Sequence, residues 1–492
     1  MTNNDNIYYI STRSTDGKKY TAAEVIKNGL ADDGGLYVPE RIPTIAYEDI
    51  KRMRQMTYAE RAAHVLGMFL TDYDNDELLC AANNAYSAEH FGEHPAPLCM
   101  LCGDVGVIEL WHGPTAAFKD MALQIMPRLL SLSLGKTHEK RDALILVATS
   151  GDTGKAALEG FSGVDRTGIH VFYPSDGVSD MQKRQMATTV GDNVKVTAVR
   201  GNFDDCQSGV KKIFSDIDAA QRLSQKGVFL SSANSINFGR LAPQIVYYIS
   251  SYCDLLEGDI IKCGDKVDIT VPTGNFGNIF AAFIAKKMGL PVGRLVCASN
   301  KNHILTDFIE TGVYDRNREF YATTSPSMDI LISSNLERLL YFVAGAEKTR
   351  EYMHSLASTG RFEVDEAIMQ KIRSDFVAAY ADEEQCASVI ADVFNEFNYL
   401  CDTHTAVAMH CARKYKNGNT VMLVASTASP YKFAPAVLSA LGCDGFDGYE
   451  ALVKLHELTG AEIPSCLCDV MSKQIRFKDV IDPSEMQAAV IG

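Results

Sequence analysis

The chain lacks an excess of basic residues. It contains 47 lysine and arginine residues against 62 aspartate and glutamate residues, which gives a formal charge of -15. A nucleic acid is normally bound by a net basic surface or a stripe of basic side chains, and the sequence has neither. The composition therefore argues against a nucleic-acid partner. It also predicts that any bound phosphate is held by backbone amides and a few basic side chains.

Long apolar runs are also missing. No stretch approaches the roughly 18 apolar residues that a membrane-spanning helix requires. The polar start MTNNDNIYYISTRSTDGKKY has neither the apolar segment of a secretory signal nor the arginine-rich character of a transit peptide. These absences predict a cytoplasmic protein without a membrane partner.

Cysteines in paired spacing are scarce, although the chain has 13 cysteines in all. In a chain of this size, scattered cysteines indicate reduced thiols and a reducing compartment. Cys99 and Cys102 form one close pair, but no second pair stands at the spacing of a structural zinc site, and Cys466 and Cys468 are too close together. We therefore expect neither disulfides nor a metal site, and the role of Cys99 and Cys102 stays open.

The length of 492 residues exceeds what one core usually supports, so we expect several units that share one site. Residues 1–95 have helical spacing and predict a mainly helical N-terminal unit. Strand-like runs, each followed by a helical stretch, then occur at 143–150, 168–174, 193–199, 228–234, 267–272, 295–299 and 420–426. This alternation predicts parallel sheets covered by helices, while the chain between 330 and 415 is predicted to be mostly helical.

The predicted units are a large α/β domain, a smaller one and a terminal segment. Residues 96–141 and 234–440 would form the large domain, residues 142–233 the small domain, and residues 441–492 a C-terminal extension. Ligands of such folds bind beyond the carboxyl ends of the strands. The loops that follow the strand-like runs are therefore the places to look for a site.

One lysine stands among apolar residues in the segment HGPTAAFKD. Lys119 follows Phe118 and opens the apolar helical stretch MALQIMPRLLSL. Lysines are usually solvated, but these neighbours indicate partial burial. Desolvation lowers the pKa of an amine, which favours the neutral form that forms a Schiff base. Lys119 is thus a candidate for covalent attachment of a carbonyl compound.

The segment TSGDTG has the composition of an anion site. It follows a predicted strand and opens a helix, so its backbone N–H groups and the hydroxyls of Thr149, Ser150 and Thr153 face the same end of the helix dipole. The alternative is a purely structural turn in which Ser150 or Asp152 caps the helix.

The segment PTGNFGN is a second candidate anion site. Gly274 and Gly277 let the backbone fold tightly enough for several N–H groups to converge on one phosphate. The segment matches neither the Walker A pattern nor the GxGxxG dinucleotide pattern. A phosphate cradle without magnesium or ribose is the remaining functional interpretation, and a plain glycine turn is the structural one.

Two further segments place polar residues at strand ends. SANSINFGRL supplies Ser235, Asn237 and Arg240, and arginine binds phosphate with two parallel hydrogen bonds. STASPYKF places the hydroxyl of Thr427 toward the same cleft, although a threonine in this position is often only a helix cap.

In this order, the five segments resemble the threonine synthases of the bacterial and fungal branch, which are pyridoxal-phosphate enzymes of fold type II, the tryptophan synthase β group. YYISTRS, ADDGGLYVPERIP and CDTHTAVA also resemble that family, so the resemblance covers nearly the whole chain. It implies an α/β fold with two parallel-sheet lobes and a mainly helical N-terminal unit. It also implies pyridoxal 5'-phosphate as the cofactor.

By this resemblance Lys119 would hold the cofactor as a Schiff base and Thr427 would hydrogen-bond its pyridine nitrogen. The cofactor phosphate would be wrapped by Gly274, Asn275, Phe276, Gly277 and Asn278. The substrate would be bound by polar residues of two other loops, Ser150, Thr153, Ser235, Asn237 and Arg240.

Two residues do not fit the resemblance cleanly. Many relatives in the wider fold group carry SGNT, and their asparagine amide binds the phenolic oxygen of the cofactor, whereas this chain has Asp152. An ionised aspartate would repel a phenolate, so the partner of that oxygen stays open, with Asn237 as a candidate. His404 in CDTHTAVA also stays open, because a lone histidine is more often structural.

The implied reaction converts O-phospho-L-homoserine and water to L-threonine and phosphate, in a monomer or a homodimer. Two alternatives share the same segments. One is a related phospho-lyase that releases a 2-oxo acid, and the other is a non-catalytic, threonine-synthase-like binding protein.

Overall fold

The computed structural model describes residues 6–149, 151–176, 178, 180–418 and 420–492. The described residues before position 96 are mainly helical, and two helices begin with capping boxes, at Thr21 with Glu24 and at Thr57 with Glu60. The elements are β1 (Tyr9–Ser11), α1 (Ala22–Asn28), β2 (Tyr37–Pro39), α2 (Tyr47–Met53), α3 (Tyr58–Phe69), α4 (Asn75–Ala85) and α5 (Ala88–Phe91).

Strands and helices alternate in most of the remaining chain. Up to residue 233 the elements are β3 (Leu98–Cys102), β4 (Val105–Glu109), α6 (Lys119–Leu123), α7 (Met126–Lys136), β5 (Asp142–Ala148), α8 (Asp152–Phe161), β6 (Thr167–Pro174), α9 (Asp180–Ala187), β7 (Val194–Val199), α10 (Phe203–Ser215), α11 (Ile217–Gln225) and β8 (Val228–Ser231).

From residue 234 onward the elements are α12 (Phe238–Leu241), α13 (Pro243–Glu257), β9 (Val267–Pro272), α14 (Gly277–Lys287), β10 (Val292–Ser299), α15 (Ile304–Thr311), β11 (Val313–Asp315), α16 (Leu336–Thr359), β12 (Arg361–Glu363), α17 (Glu366–Arg373), β13 (Phe376–Tyr380), α18 (Glu383–Phe397), α19 (Thr403–Tyr415), β14 (Val421–Ser426), α20 (Ala434–Ala440), α21 (Gly448–Thr459), α22 (Ser465–Cys468), β15 (Val480–Ile481) and α23 (Met486–Ile491). Short 3-10 turns lie at Pro326–Met328, Pro430–Phe433, Asp469–Met471 and Pro483–Glu485.

Two separate sheets form the centre of the molecule. In the described part of the chain, the larger sheet has the order β13-β10-β9-β14-β4-β3, and its neighbouring strands are parallel except for the pair β3 and β4. The smaller sheet has the order β15-β7-β6-β5-β8 with parallel neighbours. Apolar side chains fill both faces of these sheets, as buried parallel strands require.

The structure corrects the sequence prediction in two places. Strand β13 lies in the segment predicted to be mostly helical, where it pairs with β10, because a five-residue run is too short for periodicity to distinguish strand from helix. Strand β15 lies in the predicted C-terminal extension and adds an edge strand to the smaller sheet. With this addition, we propose the predicted division as the domain organisation.

The described part of the chain contains neither a candidate membrane-spanning helix nor a candidate metal cluster. Among the described residues, no helix is both long and apolar enough to cross a membrane. The same residues contain no group of three or more histidine, cysteine, aspartate or glutamate side chains arranged to hold a metal ion. Cys99 and Cys102 both lie on β3 as free thiols, and the Cys102 thiol donates to Asp104 Oδ1.

Helices α6 and α8 pack unusually closely, and this contact joins the larger sheet's loops to the smaller domain. A Cβ atom added at Gly160 of α8 would lie 1.9 Å from the carbonyl oxygen of Leu123 in α6. Only glycine allows such an approach of two backbones. The position of α6, and of Lys119 at its first residue, therefore depends on Gly160.

Replacing Gly160 by alanine is expected to destabilise the fold by about 2 kcal/mol or more, because a backbone oxygen cannot rotate away from the added methyl group. Gly135→Ala in α7 is the matched control, since a Cβ atom there meets no atom within 4 Å. Its effect is expected to stay below about 0.5 kcal/mol. Urea unfolding measures both variants, and equal stabilities would contradict the close packing of α6 on α8.

Candidate active site

Backbone pairing fixes the position of Lys119. The Phe118 N–H donates to the carbonyl of Thr427 (2.9 Å), and the Ser429 N–H donates to the carbonyl of Ala116 (3.0 Å). The segment before α6 is therefore hydrogen-bonded to the segment that follows β14, at the carboxyl end of the larger sheet. This pairing brings Lys119 and Thr427 together, as the sequence predicted for a shared cleft.

The amine of Lys119 is largely removed from water. Its side chain is 11% exposed, and its Nζ lies 3.7 Å from Asp152 Oδ2 and donates to Ser327 Oγ (3.2 Å). Burial lowers the pKa of this amine, Asp152 opposes that effect, and the charges of Lys432 and Arg240 add to it. The site therefore shifts Lys119 toward its neutral form, which is the nucleophilic form of an amine.

Asp152 lies between two lysines. Its Oδ1 is 2.8 Å from the Nζ of Lys432, which also donates to the carbonyl of Thr115 (2.9 Å). Burial alone would raise the pKa of Asp152, but Lys432 and Lys119, together with His404, hold it well below its usual range. Sequence reasoning missed Lys432, and its one signal was a lysine between the aromatic residues of STASPYKF.

The turn that precedes α8 is capped by Thr149. Its Oγ1 accepts the backbone N–H groups of Gly151 and Gly154 (3.0 Å each). The alternative in which Asp152 caps this helix is wrong, because the carboxylate of Asp152 is paired with Lys432 instead. Ser150, the other predicted cap and substrate residue, lies outside the described residues.

Two carbonyl groups of the predicted phosphate loop, residues 274–278, accept hydrogen bonds from a neighbouring segment. The Gly274 carbonyl accepts from Ser333 Oγ (2.7 Å), and the Asn275 carbonyl accepts from the backbone N–H (3.1 Å) and the Nδ2 (2.9 Å) of Asn335. Phe276 adopts a left-handed conformation with φ of 63° before α14 begins. The carbonyls of residues 274 and 275 are thus held by residues 333 and 335.

The N–H groups of residues 274–278 form an open anion cradle. In the described part of the chain, none of these five backbone amides donates to an acceptor, and they stand at the N-terminal end of α14. The buried Nδ2 of Asn278 also finds no partner among the described residues, while its Oδ1 accepts from Tyr247 and Tyr248. Buried donors without acceptors fit a bound phosphate.

Ser327 connects the cradle to the amine. Its hydroxyl accepts from Lys119, and its carbonyl oxygen would lie 2.6 Å from a Cβ atom added at Gly274. Lys119 and Gly274 therefore both lie against Ser327. The turn Pro326–Met328 lies against both Lys119 and the phosphate loop.

His404 supports this turn from behind. Its Nδ1 donates to Asp402 Oδ2 (2.7 Å), and its Nε2 accepts the backbone N–H of Ser327 (3.2 Å). The Asp402 carboxylate also accepts the N–H of Thr405 (3.0 Å) and caps α19. His404 therefore contacts the turn that carries Ser327, which answers the question that the sequence left open.

Arg240 carries a buried charge beside the amine. It is 6% exposed, and its Nη1 donates to the carbonyl of Ala233 (2.9 Å). Burial lowers its pKa to about 10, and no carboxylate among the described residues forms an ion pair with it. The half-buried hydroxyls of Ser235 and Thr153 likewise have no hydrogen-bond partner in the described chain. A buried arginine without a counter-ion can bind an anion.

The polar atoms of the Asn237 side chain are hydrogen-bonded to backbone groups. Its Nδ2 donates to the carbonyls of Ile26 (3.0 Å) and Ser232 (3.1 Å), and its Oδ1 accepts the N–H of Gly239. The side chain is fully buried and caps α12. The expectation that Asn237 binds a ligand or replaces the missing asparagine at 152 is therefore not supported, because its amide ties α12 to the N-terminal unit.

Family models match most of the chain. A family model described as "Pyridoxal-phosphate dependent enzyme" matches residues 108–427. Models for the threonine synthase N terminus and the threonine synthase C-terminal region match residues 8–86 and 405–490.

Two groups of curated relatives were found. Threonine synthase-like 1 of Homo sapiens is 40% identical over 88% of this chain and 61% of its own length. Threonine synthase of Pseudomonas aeruginosa is 39% identical over 88% of this chain and 90% of its own length. The chain spans between 57% and 65% of the length of the threonine synthase-like 1 relatives.

Solved structures resemble the whole chain. The PLP-bound threonine synthase from Brucella melitensis has a TM-score of 0.89 and 37% identity, with 99% of each chain covered. The yeast threonine synthase has the same TM-score and coverage with 32% identity. The predicted α/β fold of type II, with two parallel sheets and a helical N-terminal region, is confirmed.

The chain therefore belongs to the family of pyridoxal-phosphate-dependent enzymes, and pyridoxal 5'-phosphate is the cofactor. Within that class the relatives and the terminal models are more specific. The chain belongs to the threonine synthase family.

Gly274→Ala is expected to weaken binding of pyridoxal phosphate by about tenfold or more, because the added Cβ atom would push against the backbone of Ser327. Gly103→Ala is the matched control, since a Cβ atom there meets nothing within 4 Å. Absorbance titration of the cofactor-free protein measures both. Wild-type affinity in Gly274→Ala would contradict the tight contact between the loop and the turn.

Proposed function

We propose that the chain is a threonine synthase, a carbon–oxygen lyase that converts O-phospho-L-homoserine and water to L-threonine and phosphate. The observation that carries this proposal is the buried Arg240 without a counter-ion, placed close enough to Lys119 to lower its pKa. A buried positive charge beside the reacting amine suits a substrate that carries both an amino acid and a phosphate.

Residues of three loops would hold the cofactor. Lys119 would bond its carbonyl carbon, residues 274–278 would bind its phosphate through their N–H groups, and Thr427 would hydrogen-bond its ring nitrogen. When bound, pyridoxal phosphate supplies an electron sink for the substrate's α-carbon. A threonine hydroxyl stabilises a protonated ring nitrogen far less than a carboxylate would, which limits competing reactions such as transamination.

Lys119 would move the protons. When it is not bonded to the cofactor, the Lys119 amine would take the proton from the substrate's α-carbon as general base. Burial lowers the pKa of this amine, which shifts it toward the neutral form that a general base requires. A second proton would leave the β-carbon and phosphate would leave the γ-carbon. Water would then add its hydroxyl group to the β-carbon, and protons would return to the γ-carbon and the α-carbon to give threonine.

The substrate's phosphate and carboxylate would bind at opposite loops. Arg240, Ser235 and Thr153 would hold the phosphate, while the turn at 149–154 would take the carboxylate, with Ser150 as the predicted hydroxyl. The hydroxyls of Ser235 and Thr153 have no partner within the described chain, so both are available for a ligand. We further propose that the enzyme acts in the cytoplasm as a monomer or homodimer, without nucleic-acid or membrane partners.

Incubation of the purified protein with O-phospho-L-homoserine tests the reaction. We expect equal amounts of inorganic phosphate and threonine, measured by a phosphate assay and chromatography. Phosphate with 2-oxobutyrate and ammonia, and without threonine, would instead indicate the phospho-lyase. No phosphate release from protein that contains pyridoxal phosphate would indicate the binding protein.

Arg240→Met is expected to lower kcat/KM for O-phospho-L-homoserine by at least about tenfold, because a charged hydrogen bond to the phosphate is lost. Inhibition by inorganic phosphate should weaken in parallel. Arg413→Met is the control, since Arg413 is 44% exposed in a surface pair with Asp392. Steady-state kinetics of both variants decide, and an unchanged kcat/KM in Arg240→Met would remove Arg240 from the substrate site.

A further inference from the structure

Lys432 lies inside the site, although no step described above uses it. Its side chain is 4% exposed, and it follows β14 on the same short segment as Thr427. A buried ammonium group needs a hydrogen-bonded partner of opposite charge. Asp152 forms an ion pair with Lys432, with 2.8 Å between Oδ1 and Nζ, and the carbonyl of Thr115 accepts a hydrogen bond from the same amine.

Asp152 is shared unequally between two amines. Its Oδ1 lies at hydrogen-bond distance from Lys432, whereas its Oδ2 lies 3.7 Å from the Nζ of Lys119. The carboxylate is thus engaged with Lys432 and makes only a long contact with Lys119. Without Lys432, the nearest positive group for this buried carboxylate would be Lys119.

We propose that Lys432 is a positioning residue that engages Asp152 and so prevents this carboxylate from capturing the Lys119 amine. Lys119 then stays available for the cofactor. The proposal rests on the role of Lys119 in the proposed function, and it explains how an aspartate is tolerated beside the imine-forming amine.

The charges around Lys119 agree with this role. The groups that face its amine are Asp120, Asp152, Arg240 and Lys432. Lys432 acts in two ways that have the same sign, because it repels an ammonium at Lys119 and also neutralises Asp152. The titratable groups that face Asp152 are Lys432, Lys119 and His404. Removal of Lys432 would therefore favour the protonated form of Lys119.

Protonation of Lys119 would be seen in the rate of cofactor attachment. The neutral amine condenses with the aldehyde carbon of pyridoxal phosphate, forms a C=N bond and releases one water molecule. An ammonium has no lone pair for this step. The rate at a given pH thus reports the neutral fraction of Lys119, and no amino-acid substrate is involved.

The test mixes cofactor-free protein with pyridoxal phosphate between pH 6 and 9 and follows imine formation by absorbance. Lys432→Met is expected to slow the reaction at pH 7.5 by about tenfold or more, since one pKa unit changes the neutral fraction tenfold. The rate should recover as the pH rises. Lys454→Met is the matched control, because Lys454 is 36% exposed and lies 3.6 Å from Glu457.

The double variant Asp152→Asn with Lys432→Met separates the charge effect from a packing effect. With the carboxylate gone, the rate and its pH profile should return to within about threefold of the wild type. Should Lys432→Met not fold, the double variant decides alone, because the proposal requires it to fold and to react like the wild type.

Two results would overturn the role of Lys432. The first is a wild-type rate and pH profile in Lys432→Met, and the second is a double variant that stays slow at every pH. A wild-type protein that forms no imine would instead count against Lys119 itself. Failure of the product assay would leave this measurement unchanged, so the two proposals fail separately.

Discussion

The site depends on backbone hydrogen bonds between two segments that are far apart in the sequence. Residues 116–118 pair with residues 427–429 at the carboxyl end of β14. The pairing is made by main-chain groups and holds the start of α6, while Gly160 allows the close approach of α8 to the same helix. The pairing also brings Lys119, Thr427 and Lys432 close together. These residues supply, in turn, the amine, the candidate partner of the ring nitrogen and the positive charge that pairs with Asp152.

The turn Pro326–Met328 connects Lys119 to the phosphate loop. Ser327 contacts Lys119 through its hydroxyl and lies against Gly274 through its carbonyl, while His404 accepts its N–H. Asn335 and the fully buried Arg338 continue the chain of contacts, since Asn335 binds the Asn275 carbonyl and Arg338 binds the Tyr37 carbonyl. The N-terminal unit therefore supports the cradle, although it contributes no residue to it.

The sequence predicted the parts of the site that local pattern encodes. Strand-to-helix turns with glycine identify residues 274–278, and apolar neighbours identify Lys119. The missed parts depend on contacts between distant segments. The role of Lys432 is recognisable only from its ion pair with Asp152. Asn237 does not have its predicted role, because its side-chain amide donates to the carbonyl of Ile26 in the N-terminal unit. Likewise, β13 is recognisable only from its pairing with β10.

The most direct test of a single shared pocket is a crystal structure of the purified chain with pyridoxal phosphate. We expect continuous electron density from the Lys119 Nζ to the cofactor, with the phosphate within about 3 Å of the backbone nitrogens of residues 274–278. Density that leaves Lys119 free, or that places the cofactor phosphate at Arg240 and not at this cradle, would contradict the assignment.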